Sequence, residues 1–113
     1  RIARLLPRGV AMELLITGRV IGAEEALRLG LVNKVAPADQ LEREVEKMVN
    51  LLLSKPPFAV RGCIEAVNRG ADLTLREGCR IEEDLFGMTC GTRDMEEGMS
   101  AFLEKREAEF TGK

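Results

Sequence analysis

Residues 92–106, T-R-D-M-E-E-G-M-S-A-F-L-E-K-R, carry the clearest helical pattern in the chain. Thr92 is suited to cap the helix, because its hydroxyl can accept a hydrogen bond from a free backbone N–H of the first turn. Acidic side chains favour the positive end of the helix dipole, and this first turn carries Asp94, Glu96 and Glu97. The apolar residues recur at helical spacing and predict a buried face made of Met95, Met99, Phe102 and Leu103. The segment therefore predicts a helix over residues 93–108.

The same helical periodicity extends over most of the chain and predicts a mostly α-helical protein. The predicted helical ranges are 1–17 (two short helices joined near Pro7 to Gly9), 23–29, 38–54, 57–69 and 74–88. Leu31 to Val35 is a brief apolar run with β-branched residues, which predicts one short strand, the only one in the chain. An organisational boundary is expected near Ala36 and Pro37, where the regular succession of amphipathic helices begins.

The composition limits the classes of function that the chain can serve. Hydrophobic residues make up 45% of the 113 residues and charged residues 32%, which favours a folded chain over a disordered one. The 17 Lys and Arg nearly balance the 19 Asp and Glu, so no global charge favours nucleic acid or an anionic membrane. No apolar run approaches the roughly 20 residues of a membrane span. We therefore expect a cytoplasmic protein, or one of the mitochondrial matrix if the source is eukaryotic.

The cysteines and glycines predict packing rather than chemistry. Cys63, Cys79 and Cys90 fit neither a disulfide framework nor a zinc site, and the chain has no His, so we expect no metal and three reduced cysteines that fill small spaces. Each glycine inside a helix costs about 1 kcal/mol relative to alanine. Close approach of helices would explain the four that fall inside predicted helices, which are Gly62, Gly78, Gly87 and Gly98.

No residue of the chain is predicted to be catalytic. The many glutamates lie on polar helix faces, whereas a catalytic carboxylate needs a pocket that shifts its pKa. One cluster is distinctive: Phe102, Lys105 and Arg106 lie within about one helical turn. Phe102 and Lys105 are three positions apart, where an aromatic ring and an ammonium group could meet an adenine and a phosphate. The alternative interpretation is a core phenylalanine beside a solvated lysine.

Three segments, in order, resemble the C-terminal part of the enoyl-CoA hydratase/isomerase (crotonase) family. Residues 11–19, AMELLITGR, resemble a helix and turn of that family. Residues 23–35, AEEALRLGLVNKV, resemble the element that follows it, and residues 97–106, EGMSAFLEKR, resemble the family's final helix. The resemblance covers nearly the whole chain.

The resemblance implies a fold that this chain only completes, the crotonase-like α/β spiral. Residues 1–37 would be the tail of the core and residues 38–113 the helical trimerisation region, in a trimer or a dimer of trimers. The absence of an initiator Met before Arg1 agrees with a C-terminal fragment. The oxyanion hole and the catalytic glutamates would lie upstream of Arg1, so the chain alone is expected to be inactive.

The resemblance also implies a reaction and a binding role. The parent enzyme would add water to a trans-2-enoyl-CoA thioester, with coenzyme A carried by the substrate and no permanently bound cofactor. Phe102 and Lys105 match positions that approach the adenine and phosphate of coenzyme A in a neighbouring subunit. An isomerase or another crotonase branch, or a non-catalytic oligomerisation module, remains the alternative.

Overall fold

The computed structural model describes residues 1–113 and is built from helices, with no strand. The helices are α1 (Ile2–Leu5), α2 (Arg8–Thr17), α3 (Ala23–Arg28), α4 (Leu41–Leu53, preceded by a 3-10 turn at Ala38–Gln40), α5 (Pro57–Gly70), α6 (Leu75–Cys90) and α7 (Arg93–Glu104). The predicted helical class is confirmed, including the two short helices that meet near Pro7. The last helix is shorter than predicted, because it ends at Glu104 and not at residue 108.

The predicted strand at Leu31 to Val35 is wrong, because these residues form an irregular extension. The backbone N–H of Leu31 donates to the carbonyl of Ala26 at 2.9 Å, after Gly30 turns the chain with φ +76°. This hydrogen bond therefore closes the end of α3, and residues 31–35 do not pair with another strand. Their apolar and β-branched side chains favour a strand only where a partner strand is present, and the chain offers none.

The chain divides into two compact units, Arg1–Glu44 and Val45–Lys113. The first unit has a small apolar core of Leu6, Ala11 and Leu14. Its turn between α2 and α3 is fixed by Arg19, whose guanidinium contacts Glu13 at 2.8 Å and Glu25 at 2.9 and 3.1 Å. The predicted division at residue 37 is a division of roles, between the end of the core and the trimerisation region. That division stays a prediction.

In the second unit, α5 and α6 form an antiparallel pair. A Cβ at Gly78 would lie 3.7 Å from the Cα of Gly70 at one end of the pair, and a Cβ at Gly62 would lie 3.9 Å from Thr89 Oγ1 at the other. The prediction of close helix approach is therefore confirmed at Gly78. Gly87 faces open space instead.

The cysteines do not pack as predicted. Cys63, Cys79 and Cys90 are free thiols, but each is exposed. A pair of helices buries only the seam between them, so Leu85 is the single buried residue of α6. Cys63 and Cys79 instead line the open groove beside that seam.

None of the helices is both long and apolar enough to cross a membrane. No group of three or more Cys, Asp or Glu side chains is arranged to hold a metal ion.

The predicted cap of α7 is confirmed and gives a direct test of that helix. Thr92 Oγ1 accepts a hydrogen bond from the Met95 N–H at 3.2 Å and donates to the Thr89 carbonyl at 2.8 Å. Thr92→Ala should lower the free energy of unfolding by about 1 kcal/mol, measured by urea denaturation of the intact protein. Thr92→Ser retains the hydroxyl, so its free energy of unfolding should stay close to that of the unsubstituted protein. Equal losses in the two variants would show that the hydroxyl does not cap the helix.

Candidate functional site

The buried stripe of α7 is not the predicted apolar face. Asp94 is only 3% exposed and Ala101 is equally buried, whereas Phe102 is 79% exposed and Leu103 75% exposed. Met99 is also exposed, and of the four predicted core residues only Met95 is partly buried. Within this chain, the side of α7 that carries Asp94 and Ala101 is therefore buried. The predicted apolar face is mostly exposed.

Residues 106–113, which follow α7 and are called the tail below, explain this inversion. The last residues of the tail fold back onto Asp94. The carboxylate of Asp94 accepts hydrogen bonds from the backbone N–H groups of Thr111 at 2.7 Å and Gly112 at 2.9 Å. Its own N–H donates to the carbonyl of Lys113 at 3.2 Å, so a free donor of the first helical turn is satisfied as well. A carboxylate with several backbone donors can be buried at modest cost. Asp94 thus holds the end of the tail.

Glu97 holds the near end of the same tail. Its two carboxylate oxygens accept from Nη1 and Nη2 of Arg106 at 2.5 and 2.9 Å, and the N–H of Glu109 adds a third donor at 2.8 Å. The Arg106 guanidinium, and after it the Glu109 N–H, lower the pKa of Glu97 to about 2. The pKa of Arg106 is raised in turn, first by Glu97 and then by Glu104. The pair is a bidentate ion pair of the strong kind.

Between these two anchors the tail packs on a glycine. A Cβ at Gly98 would come within 3.4 Å of the ring of Phe110, so a larger residue would displace that ring. Of the four helical glycines, this one faces the tail rather than another helix. The end of the tail reaches α5, where the position of a Cβ at Gly112 would lie 3.5 Å from Pro57.

Lys105 marks the junction between α7 and the tail. It has φ +54° and is the only residue other than glycine with a positive φ. The next N–H, that of Arg106, donates to the carbonyl of Ala101 at 3.0 Å, which closes the helix end. Glycine is usual at such a left-handed position, because a side chain there is disfavoured by roughly 1–2 kcal/mol. A lysine in this conformation therefore needs support from the structure around it.

The two predicted site residues lie together at the exposed end of α7. Phe102 belongs to the last turn and Lys105 follows it, so Lys105 is not on a helical face as the predicted range implied. Both side chains are exposed, and neither has a hydrogen bond, ion pair or ring contact within the chain. The end of α7 thus offers an exposed aromatic ring and, three residues later, an exposed ammonium. Its role toward coenzyme A stays a prediction.

Of the residues that hold the tail, Arg106 belongs to the cluster singled out from the sequence, but its contact with Glu97 was not predicted, and neither was the role of Asp94. Asp94 and Glu97 are expected in the first turn of any helix, which hides their contacts with the tail. A usable signal is the combination of two carboxylates with the small residues Gly98 and Ala101 on one stripe, since such a stripe fits an extended backbone. That signal is visible only if the tail is assumed to fold back.

The comparisons with known proteins show the class to which this arrangement belongs. The sequence profile described as enoyl-CoA hydratase/isomerase matches residues 1–113. Two solved enoyl-CoA hydratases superimpose closely. One is from Bacillus anthracis, with a TM-score of 0.94 and 37% identity, and one is from Geobacillus kaustophilus, with a TM-score of 0.93 and 39% identity; each match covers 98% of this chain and 43% of the solved chain. The chain belongs to the enoyl-CoA hydratase/isomerase family, and its helices are part of the crotonase fold.

Curated relatives give the same result at the level of sequence. The chain is 46% identical over 113 residues to the crotonyl-CoA hydratase of Syntrophomonas wolfei and 37% identical over 110 residues to the mitochondrial enoyl-CoA hydratase of Pongo abelii. These matches cover 100% and 97% of this chain but only 44% and 38% of the two relatives. The chain thus spans less than half the length of the curated relatives that it matches.

The low pKa of Glu97 predicts a stability that depends on pH. The folded value of about 2 lies below the ordinary value of 4.5, so the ion pair contributes its full stability above about pH 4.5 and loses it as the pH falls toward about 2. Urea unfolding of the intact protein should therefore show an advantage over Glu97→Gln that is constant above pH 4.5 and vanishes near pH 2. An advantage that is independent of pH over this window would contradict the assigned ion pair.

Proposed function

We propose that this chain is the C-terminal part of an enoyl-CoA hydratase whose intact form adds water to trans-2-enoyl-CoA thioesters. The family match over residues 1–113 supports the class, and the crotonyl-CoA hydratase of Syntrophomonas wolfei supports the reaction and a short acyl chain. The oxyanion hole that stabilises the enolate, and the glutamates that move the proton, would lie in the rest of the enzyme. The coenzyme A would arrive with the substrate, and no resident cofactor is needed for this addition of water.

The contribution of this chain would be to bind the nucleotide end of coenzyme A on a neighbouring subunit. The observation that carries this proposal is the exposure of Phe102 and Lys105, which lie three residues apart at the end of α7. An exposed phenyl ring can stack on adenine, and an ammonium is a mobile point charge suited to phosphate. Two groups of this kind fit the two ends of an adenosine phosphate.

Assembly is the second role that the structure supports. Helix α4 turns one apolar stripe outward over its whole length, and every member of the stripe is about half exposed: Leu41, Val45, Met48, Val49 and Leu52. Apolar stripes of this length are normally covered by protein. We infer that these helices pack in a trimer or a dimer of trimers, in the cytoplasm or in the mitochondrial matrix; the Pongo abelii relative is mitochondrial by its name.

The assembly is tested by sedimentation of the intact protein at micromolar concentration. The expected species are trimers or hexamers, since a nucleotide contact between subunits requires that a neighbour be present. A protein that sediments only as a monomer would contradict both the assembly and the contact across subunits.

The nucleotide contact is tested with two thioesters of the same acyl group, crotonyl-CoA and crotonyl-pantetheine, which lacks the adenosine phosphates. Hydration by the intact protein is followed by the loss of the conjugated thioester absorbance. Lys105→Ala should raise KM for crotonyl-CoA about fivefold, the loss of roughly 1 kcal/mol for an exposed ionic contact, with kcat changed less than about twofold. KM for crotonyl-pantetheine should not change.

Lys105→Arg is the matched control, because it retains the positive charge and should keep most of the affinity for crotonyl-CoA. A protein that does not hydrate crotonyl-CoA would refute the proposed reaction. Equal effects of Lys105→Ala on both thioesters would refute the nucleotide contact alone.

A further inference from the structure

We propose that Glu97 and Arg106 are positioning residues that aim Lys105 at the phosphates of coenzyme A. This inference rests on the proposed function, and it adds residues that do not touch the substrate. The ion pair fixes the residue immediately after Lys105, and thereby the direction in which the lysine side chain leaves the helix end. It would convert a flexible surface lysine into one directed at a fixed place.

The geometry at Arg106 supports this role, because its side chain and its backbone both hold this residue to α7. Its guanidinium forms the bidentate pair with Glu97 at 2.5 and 2.9 Å and donates from Nε to Glu104 at 2.7 Å, and its backbone N–H donates to the Ala101 carbonyl at 3.0 Å. Lys105 lies between these contacts and the last turn of the helix. A rotation of the backbone at Lys105 would have to break or distort these contacts.

The conformation of Lys105 gives the reason why such contacts are needed. Its positive φ of +54° is disfavoured for every residue except glycine. Without support, the junction would relax toward a negative φ and would carry the ammonium in another direction. A side chain that is already oriented loses less freedom on binding, so an oriented lysine binds phosphate more tightly than a free one.

The two carboxylates of α7 differ in the part of the tail that they hold. Glu97 contacts Arg106 and Glu109, whereas Asp94 contacts only Thr111, Gly112 and Lys113. Loss of the Asp94 contacts would therefore loosen the far end of the tail and leave the junction at Lys105 in place. This difference separates orientation of Lys105 from general packing of the tail.

The test uses the intact protein and the same pair of thioesters, crotonyl-CoA and crotonyl-pantetheine. Glu97→Gln keeps the size of the side chain and removes its charge, so it should raise KM for crotonyl-CoA about threefold while kcat and the pantetheine reaction stay close to the parent. The double variant Glu97→Gln, Lys105→Ala should have the same KM as Lys105→Ala alone. Arg106→Lys keeps one charged contact and should give a smaller increase than Arg106→Gln.

Asp94→Asn is the control variant, and it should leave KM for both thioesters unchanged even where it lowers the melting temperature. The inference would be overturned by independent, multiplying effects of Glu97→Gln and Lys105→Ala, or by an Asp94→Asn effect equal to that of Glu97→Gln. If Lys105→Ala raises KM and the Glu97 and Arg106 variants do not, positioning fails and the nucleotide contact stands. If Lys105→Ala has no effect, the nucleotide contact itself fails, and positioning fails with it.

Discussion

Two carboxylates on one stripe of α7 hold the chain segment that follows this helix, and the exposed end of the helix depends on that arrangement. Asp94 accepts backbone hydrogen bonds from Thr111 and Gly112, and Glu97 pairs with Arg106. Because the tail covers this stripe, the apolar side of α7 faces outward in this chain. The contact of Glu97 with Arg106 lies directly after the left-handed Lys105, close in sequence to the exposed Phe102. A packing constraint therefore leaves an aromatic and a cationic side chain exposed at this end of α7.

The rest of the chain shares this outward distribution of apolar side chains. Helix α4 exposes one whole apolar stripe, and the seam between α5 and α6 buries little beyond Leu85. A chain that spans 38–44% of its curated relatives cannot be expected to bury such surfaces alone. On the proposed function, the rest of the enzyme and neighbouring subunits would cover these exposed faces. Catalysis and assembly would then be divided along the sequence, with the hydration chemistry elsewhere and the nucleotide contact here.

Much of this structure follows from local sequence, and the part that does not has a common cause. Helical periodicity, the Thr92 cap and the close approach at Gly78 depend on neighbouring residues or on one helix pair, and they were predictable. The apolar face of α7 was assigned to the interior, because periodicity shows which residues share a face and not what covers it. The strand at Leu31 to Val35 failed for the same reason, since its partner would have to come from elsewhere. Phe102 and Lys105 were singled out by their spacing and by the family resemblance, and their role stays a prediction. The contact between Glu97 and Arg106 could not be predicted from periodicity, because it forms across the turn at Lys105.

The most direct test of this account is a crystal structure of the intact protein with an acyl-CoA bound. We expect the Lys105 ammonium within about 4 Å of a coenzyme A phosphate oxygen, the usual limit for an ion pair, with the Phe102 ring against the adenine. Arg106 should remain paired with Glu97, and φ of Lys105 should remain positive. A nucleotide bound away from Lys105, or a tail released from α7 in the complex, would contradict the account.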